Sequence, residues 1–99
     1  MARTALTPEQ IAERLPSLND WAVESNVLSK TFAMETYLAG VAFASAVGVV
    51  CEGLDHHPDI HIGWRKVRVS FTTHDAGNAL TEFDFRAAQA VDALKYPKA

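Results

Sequence analysis

The chain has 99 residues, 48% of them apolar and 21% charged, with nine Lys and Arg against twelve Asp and Glu for a net charge of −3. That size suits one domain, residues 1–99, able to bury a core, and the absence of low-complexity stretches excludes a disordered chain. The basic residues are scattered from Arg3 to Lys98 without a run, and the single Cys51 sits in an apolar stretch, which excludes a nucleic-acid footprint and an internal disulfide.

A reducing, cytoplasmic setting is therefore expected, and the opening residues contain no apolar core long enough for a secretory signal. Thr7-Pro8-Glu9-Gln10 is a helix start: Thr7 caps, Pro8 suits the first helical position and Gln10 completes a capping box. This helix should end near Pro16. After a turn over Ser17 to Asp20, Trp21-Ala22-Val23 and Val27 to Met34 read as strands joined by a hairpin at Ser25-Asn26.

A long apolar stretch follows, with Thr36 as N-cap and Gly53 placed to terminate a helix. From Thr36 to Cys51 no residue is charged, but the stretch is shorter than the roughly 20 residues that a membrane helix needs. Apolar or small side chains occupy nearly every position, so both faces should be covered, one by the sheet and the other by a second subunit. Ile60 to Trp64 and the alternating Lys66 to Thr72 then read as paired strands. His74 to Leu80 is a loop around Gly77-Asn78, and Thr81 caps a last helix running from Glu82 to about Leu94, with Asp84 as its third residue. The order αββαββα, with hairpins between paired strands, predicts an α+β domain: a four-stranded antiparallel sheet with three helices on one face.

All four histidines fall between His56 and His74. Imidazole has an unperturbed pKa of about 6.5, so a cluster of this kind points to proton transfer. Pro58 biases His57 toward extended backbone, placing His56 just past the end of the apolar helix, while His74 follows the alternating strand. If the fold brings these two ends together, two imidazoles face one cavity and act on different atoms of one substrate. Other readings stand beside this one. Asp84 has a purely structural reading as the capping-box acid, Glu52 as a helix-end carboxylate and Trp64 as a core aromatic. A zinc site from His57 and His61 with Asp55, Asp59 or His74 matches no familiar ligand spacing.

The series Glu52, His56-His57-Pro58, Trp64, His74 and Asp84 resembles the signature of the pterin-4a-carbinolamine dehydratases. Supporting matches are Trp21-Ala22-Val23, Lys30-Thr31-Phe32, the uncharged helix, His56-His57-Pro58-Asp59-Ile60 and Thr72-Thr73-His74-Asp75. The resemblance implies the same αββαββα fold and the dehydration of a 4a-hydroxytetrahydropterin to the quinonoid dihydropterin, without a metal or other cofactor. It implies His56 and His74 as the acid/base pair, His57 as a catalytic or substrate-binding imidazole, and Asp84 as the group that orients or polarises the site. Glu52, Pro58, Thr72 and Thr73 are implied as further substrate contacts. Family members form dimers and tetramers, so the resemblance also implies a homodimer or homotetramer, through the sheet edge and the Thr36–Glu52 helix. Some members also bind and stabilise a homeodomain transcription factor, which is the alternative function. Ile60 and Phe83 stand where some members carry a tryptophan and an arginine. The loop before Asp84 is one residue longer than in many members, through Asn78-Ala79, which bears on how Asp84 would meet His74.

Overall fold

The computed structural model describes residues 3–95. Helix α1 spans Pro8–Arg14 and passes into a single 3-10 turn over Leu15–Ser17, so the chain bends through Pro16. Its start is the expected capping box: Gln10 N–H donates to Thr7 Oγ1 at 3.1 Å and Thr7 N–H donates to Gln10 Oε1 at 2.8 Å. Strands β1 (Ala22–Glu24) and β2 (Val27–Ala33) form the first hairpin. Its two turn residues, Ser25 and Asn26, both take left-handed conformations, at φ 52° and 64°, which gives the backbone twist that two-residue hairpins favour.

Helix α2 covers Tyr37–Gly53, strands β3 and β4 cover Asp59–Gly63 and Lys66–Phe71, and helix α3 covers Glu82–Asp92. The sheet is antiparallel throughout, in the order β1-β2-β4-β3, so the expected α+β architecture is the one observed. Its alternation places Leu28, Phe32, Val67, Val69 and Phe71 on the buried face, where they pack with Phe43 and Val47 of α2 and Phe85, Ala88 and Val91 of α3. Each of these Val, Leu and Phe side chains contributes roughly 1.5–3 kcal/mol by leaving water. Gly40 lets α2 settle against β4, since a Cβ there would lie 3.2 Å from Val67 Cγ2.

Two positions depart from the sequence reading. Trp64 is a hairpin tip rather than a strand end or core residue: it is 74% exposed, with the Arg65 guanidinium 5.3 Å from its ring. Helix α2 does not stop through Gly53, which is still helical. Asp55 takes the left-handed position at φ 53°, with Asp55 N–H donating to the Glu52 carbonyl and His56 N–H to the Cys51 carbonyl, both at 3.1 Å. These two bonds are a Schellman motif with aspartate where glycine is usual. Asp55→Gly is therefore expected to gain about 1 kcal/mol, a rise of about 4–8 °C in Tm for a domain of this size; a lower Tm in a thermal melt would contradict this account of the cap.

The outward side of α2 carries Leu38 and Val49, both 74% exposed, with Ala42 and Ser45 between them. No helix among the described residues is long and apolar enough to cross a membrane.

Candidate active site

His56 is delivered by the Schellman motif at the end of α2, and His74 opens a 3-10 turn, His74–Ala76, directly after β4. Both line one cavity of about 270 Å³, together with Arg3, Asp55, His57, Thr72, Thr73 and Asp75. That volume falls just below the roughly 300–1,000 Å³ usual for small-molecule sites, a fit for one small heterocycle rather than a dinucleotide.

Asp84 lies fully buried behind this cavity. Its Oδ2 accepts from Thr81 N–H at 2.8 Å, closing the capping box of α3, and from the Thr73 hydroxyl at 2.7 Å. Its Oδ1 accepts from His56 Nε2 at 2.6 Å. Thr73 has one proton and spends it on Asp84, so in the 2.8 Å contact between the two hydroxyls Thr81 is the donor. A carboxylate only accepts, so His56 carries a proton on Nε2 and Nδ1 is its remaining nitrogen. The ring is held from the side as well, stacked on Phe71 with an interplanar angle of 12° and tilted against Phe83.

His74 is exposed and is oriented by Asn78 rather than by Asp84. Its Nδ1 donates to Asn78 Oδ1 at 2.7 Å, so in the neutral ring the lone pair is on Nε2. Asn78 sits at φ 59° beside Gly77 at φ 72°, so the loop curls back over its own histidine. His57 lines the cavity from solvent, its Nε2 donating to Glu52 Oε1 at 2.7 Å. Glu52 itself is not a lining residue, nor is Pro58, whereas Thr72 and Thr73 are. His61 faces away, on the outer side of the sheet opposite Arg68.

Among the described residues no group of three or more His, Cys, Asp and Glu side chains is placed to hold a metal ion. Burial pushes the Cys51 thiol up to about 11, so it is a packed, protonated core group rather than a nucleophile. A second cavity, of about 320 Å³, lies at the far end of α3 beside Lys30 and Asp92. Its Lys30 and Asp92 pair with each other: Lys30 Nζ lies 3.1 Å from Asp92 Oδ1, which Trp21 Nε1 also reaches at 3.0 Å.

The residues that sequence reasoning missed at the histidine cavity are Arg3, Asp55, Asp75 and Asn78. Arg3 Nη2 donates to the Asp55 carbonyl at 2.8 Å, its Nη1 meets Asp75 Oδ2 at 3.3 Å, and its guanidinium lies 4.4 Å from the centre of the Phe83 ring.

The family model described as pterin 4 alpha carbinolamine dehydratase matches residues 4–94. A Chloroflexus aurantiacus protein with a provisional name as a pterin-4-alpha-carbinolamine dehydratase is 43% identical over 89 residues, covering 90% of this chain and 95% of that protein. The crystal structure of a transcriptional coactivator/pterin dehydratase from Brucella melitensis superposes with a TM-score of 0.83 at 26% identity, covering 91% of this chain and 97% of the other. A pterin dehydratase-like protein, identified as a RuBisCO assembly factor in the alpha-carboxysome, superposes with a TM-score of 0.61 at 26% identity, over 80% and 89% of the two chains. With a match that runs from the segment before α1 to the end of α3, the chain belongs to the pterin 4 alpha carbinolamine dehydratase family.

Proposed function

We propose that the protein dehydrates a 4a-hydroxytetrahydropterin to the quinonoid dihydropterin, with His56 and His74 as the proton-transfer pair. The observation that carries this reading is that both imidazoles line one cavity, each with one ring nitrogen tied to a fixed acceptor and the other left for substrate. In the reaction the C4a–O bond breaks as the hydroxyl is protonated and leaves as water. The N5–H electron pair becomes the C4a=N5 bond, and a base takes the N5 proton, so one acid and one base complete the change.

His56 is assigned as the acid. When its Nδ1 holds the proton to be given, the counter-charge is already in place at Asp84, 2.6 Å from Nε2. His74 is assigned as the base, because the bond from Nδ1 to Asn78 presents Nε2 unprotonated. His57, steadied by Glu52, contacts the substrate, as do Thr72 and Thr73. The test is the rate of 4a-hydroxytetrahydropterin loss, with and without chelator. A rate above the uncatalysed background that survives chelation is expected, and no rate above background would refute the proposal.

The apolar outer stripe of α2 favours a second element of the reading, self-association into a homodimer or homotetramer. A second copy of the chain would cover Leu38 and Val49, and β3 offers a free sheet edge. Substituting Glu at both Leu38 and Val49 is expected to give monomers by sedimentation; an unchanged oligomer, or a monomeric parent protein, would contradict it. The coactivator and assembly-factor names of the two similar structures make protein binding the alternative function. It would leave the histidines dispensable.

A further inference from the structure

We propose that Arg3 is a positioning residue that ties the turn bearing His56 to the turn bearing His74, so that the segment ahead of α1 is part of the active site. The proposal rests on the reading of those histidines as the proton-transfer pair. Arg3 Nη2 holds the carbonyl of Asp55, the residue immediately before His56, and Nη1 meets the carboxylate of Asp75, the residue immediately after His74. Its guanidinium is seated on Phe83, which also flanks the His56 ring at 6.1 Å between centroids. One side chain thus touches the chain neighbour of each histidine and a ring that packs against one of them.

Asp84 joins the same two turns from the buried side, through His56 and Thr73, while Arg3 joins them from the solvent side. The guanidinium suits this role because its rigid fork holds two acceptors at a fixed separation, whereas a lysine ammonium is a point donor on a flexible stem. Asp75 is 78% exposed, and ion pairs of that kind add little stability. The consequence of the contact is therefore geometric, setting how far apart the acid and base stand. The segment is itself anchored, with Leu6 N–H donating to the Leu80 carbonyl at 2.8 Å just before the Thr7 cap.

The test compares Arg3→Ala, Arg3→Lys and Asp75→Asn with the parent protein by steady-state dehydration kinetics, thermal melting and NMR of the histidine rings without ligand. Arg3→Ala is expected to lower kcat by about tenfold or more, because small misplacements of reacting groups are costly, with KM changed by less than about threefold. Arg3→Lys restores only part of that loss, and Asp75→Asn, which removes the charge at one end of the clamp and weakens it, loses less. The ring resonances of His56 and His74 should shift while those of His61 stay in place. Unchanged kcat in Arg3→Ala, or unmoved His56 and His74 resonances, would overturn the proposal. So would a rate loss that merely follows a large drop in Tm, if Asp75→Asn keeps full rate and an unmoved His74. Should the parent protein fail to dehydrate the pterin, the functional reading falls, and the resonance comparison alone decides whether Arg3 sets the two turns.

Discussion

His74→Ala is expected to lower kcat for pterin dehydration by about 10²–10⁴-fold, the usual contribution of a positioned acid or base, and to leave Tm nearly unchanged. The second half follows from placement: His74 is exposed, and its ring is held by Asn78 of its own loop. His56→Ala should cost a similar factor in rate but also destabilise. That ring is buried, stacked on Phe71, and its loss leaves Asp84 Oδ1 without a partner, at a cost of about 1–3 kcal/mol. The pair of variants thus separates chemistry from folding. Full activity in both would remove the histidines from the mechanism and leave the protein-binding alternative.

Asp84→Ala is expected to be the most damaging single change to the fold. The carboxylate is fully buried and accepts from His56, Thr73 and Thr81, joining the end of α2, the end of β4 and the start of α3. Its loss leaves these donors without their acceptor, at about 1–3 kcal/mol for each left unsatisfied, together a large part of the roughly 5–15 kcal/mol that holds a domain together. Tm should fall by at least about 10 °C. Asp84→Asn keeps the shape but has one acceptor oxygen, and its amide brings N–H groups against donors, so it should fall between Ala and the parent in stability and lose rate through a misoriented His56. A Tm within about 3 °C of the parent in Asp84→Ala would show that the carboxylate does not organise the site.

The parts of this fold legible in the sequence are those fixed by local physics. Thr7, Thr36 and Thr81 each cap a helix through the side-chain oxygen, as their spacing to the first helical residues predicts. The alternation through Val67, Val69 and Phe71 gives the buried face of β4 directly. What escaped depends on contacts between distant residues or on a rarer backbone choice. Asp55 stops α2 because aspartate tolerates the left-handed region, and the nearby Gly53 drew attention from it. Lys30 lies on the inner face of β2, where Asp92, some sixty residues along the chain, neutralises it, a pairing that no local pattern shows. The capping role of Asp84 is legible in its spacing to Thr81, whereas its bond to His56 is not, since that partner lies 28 residues away; Oδ2 closes the cap while Oδ1 meets His56. Arg3 had no signal at all, since both of its partners lie more than fifty residues away.

The central claim is that the histidine cavity is where the pterin reacts. A crystal structure of the protein with a reduced pterin lacking the 4a hydroxyl tests it most directly. The account predicts the bicyclic ring among His56, His57 and His74, with its N5–C4a edge facing His56 Nδ1 and His74 Nε2, and N5 within about 2.6–3.2 Å of one of them. A pterin seated instead beside Lys30 and Asp92, at the far end of α3, or bound with neither imidazole in reach, would contradict it.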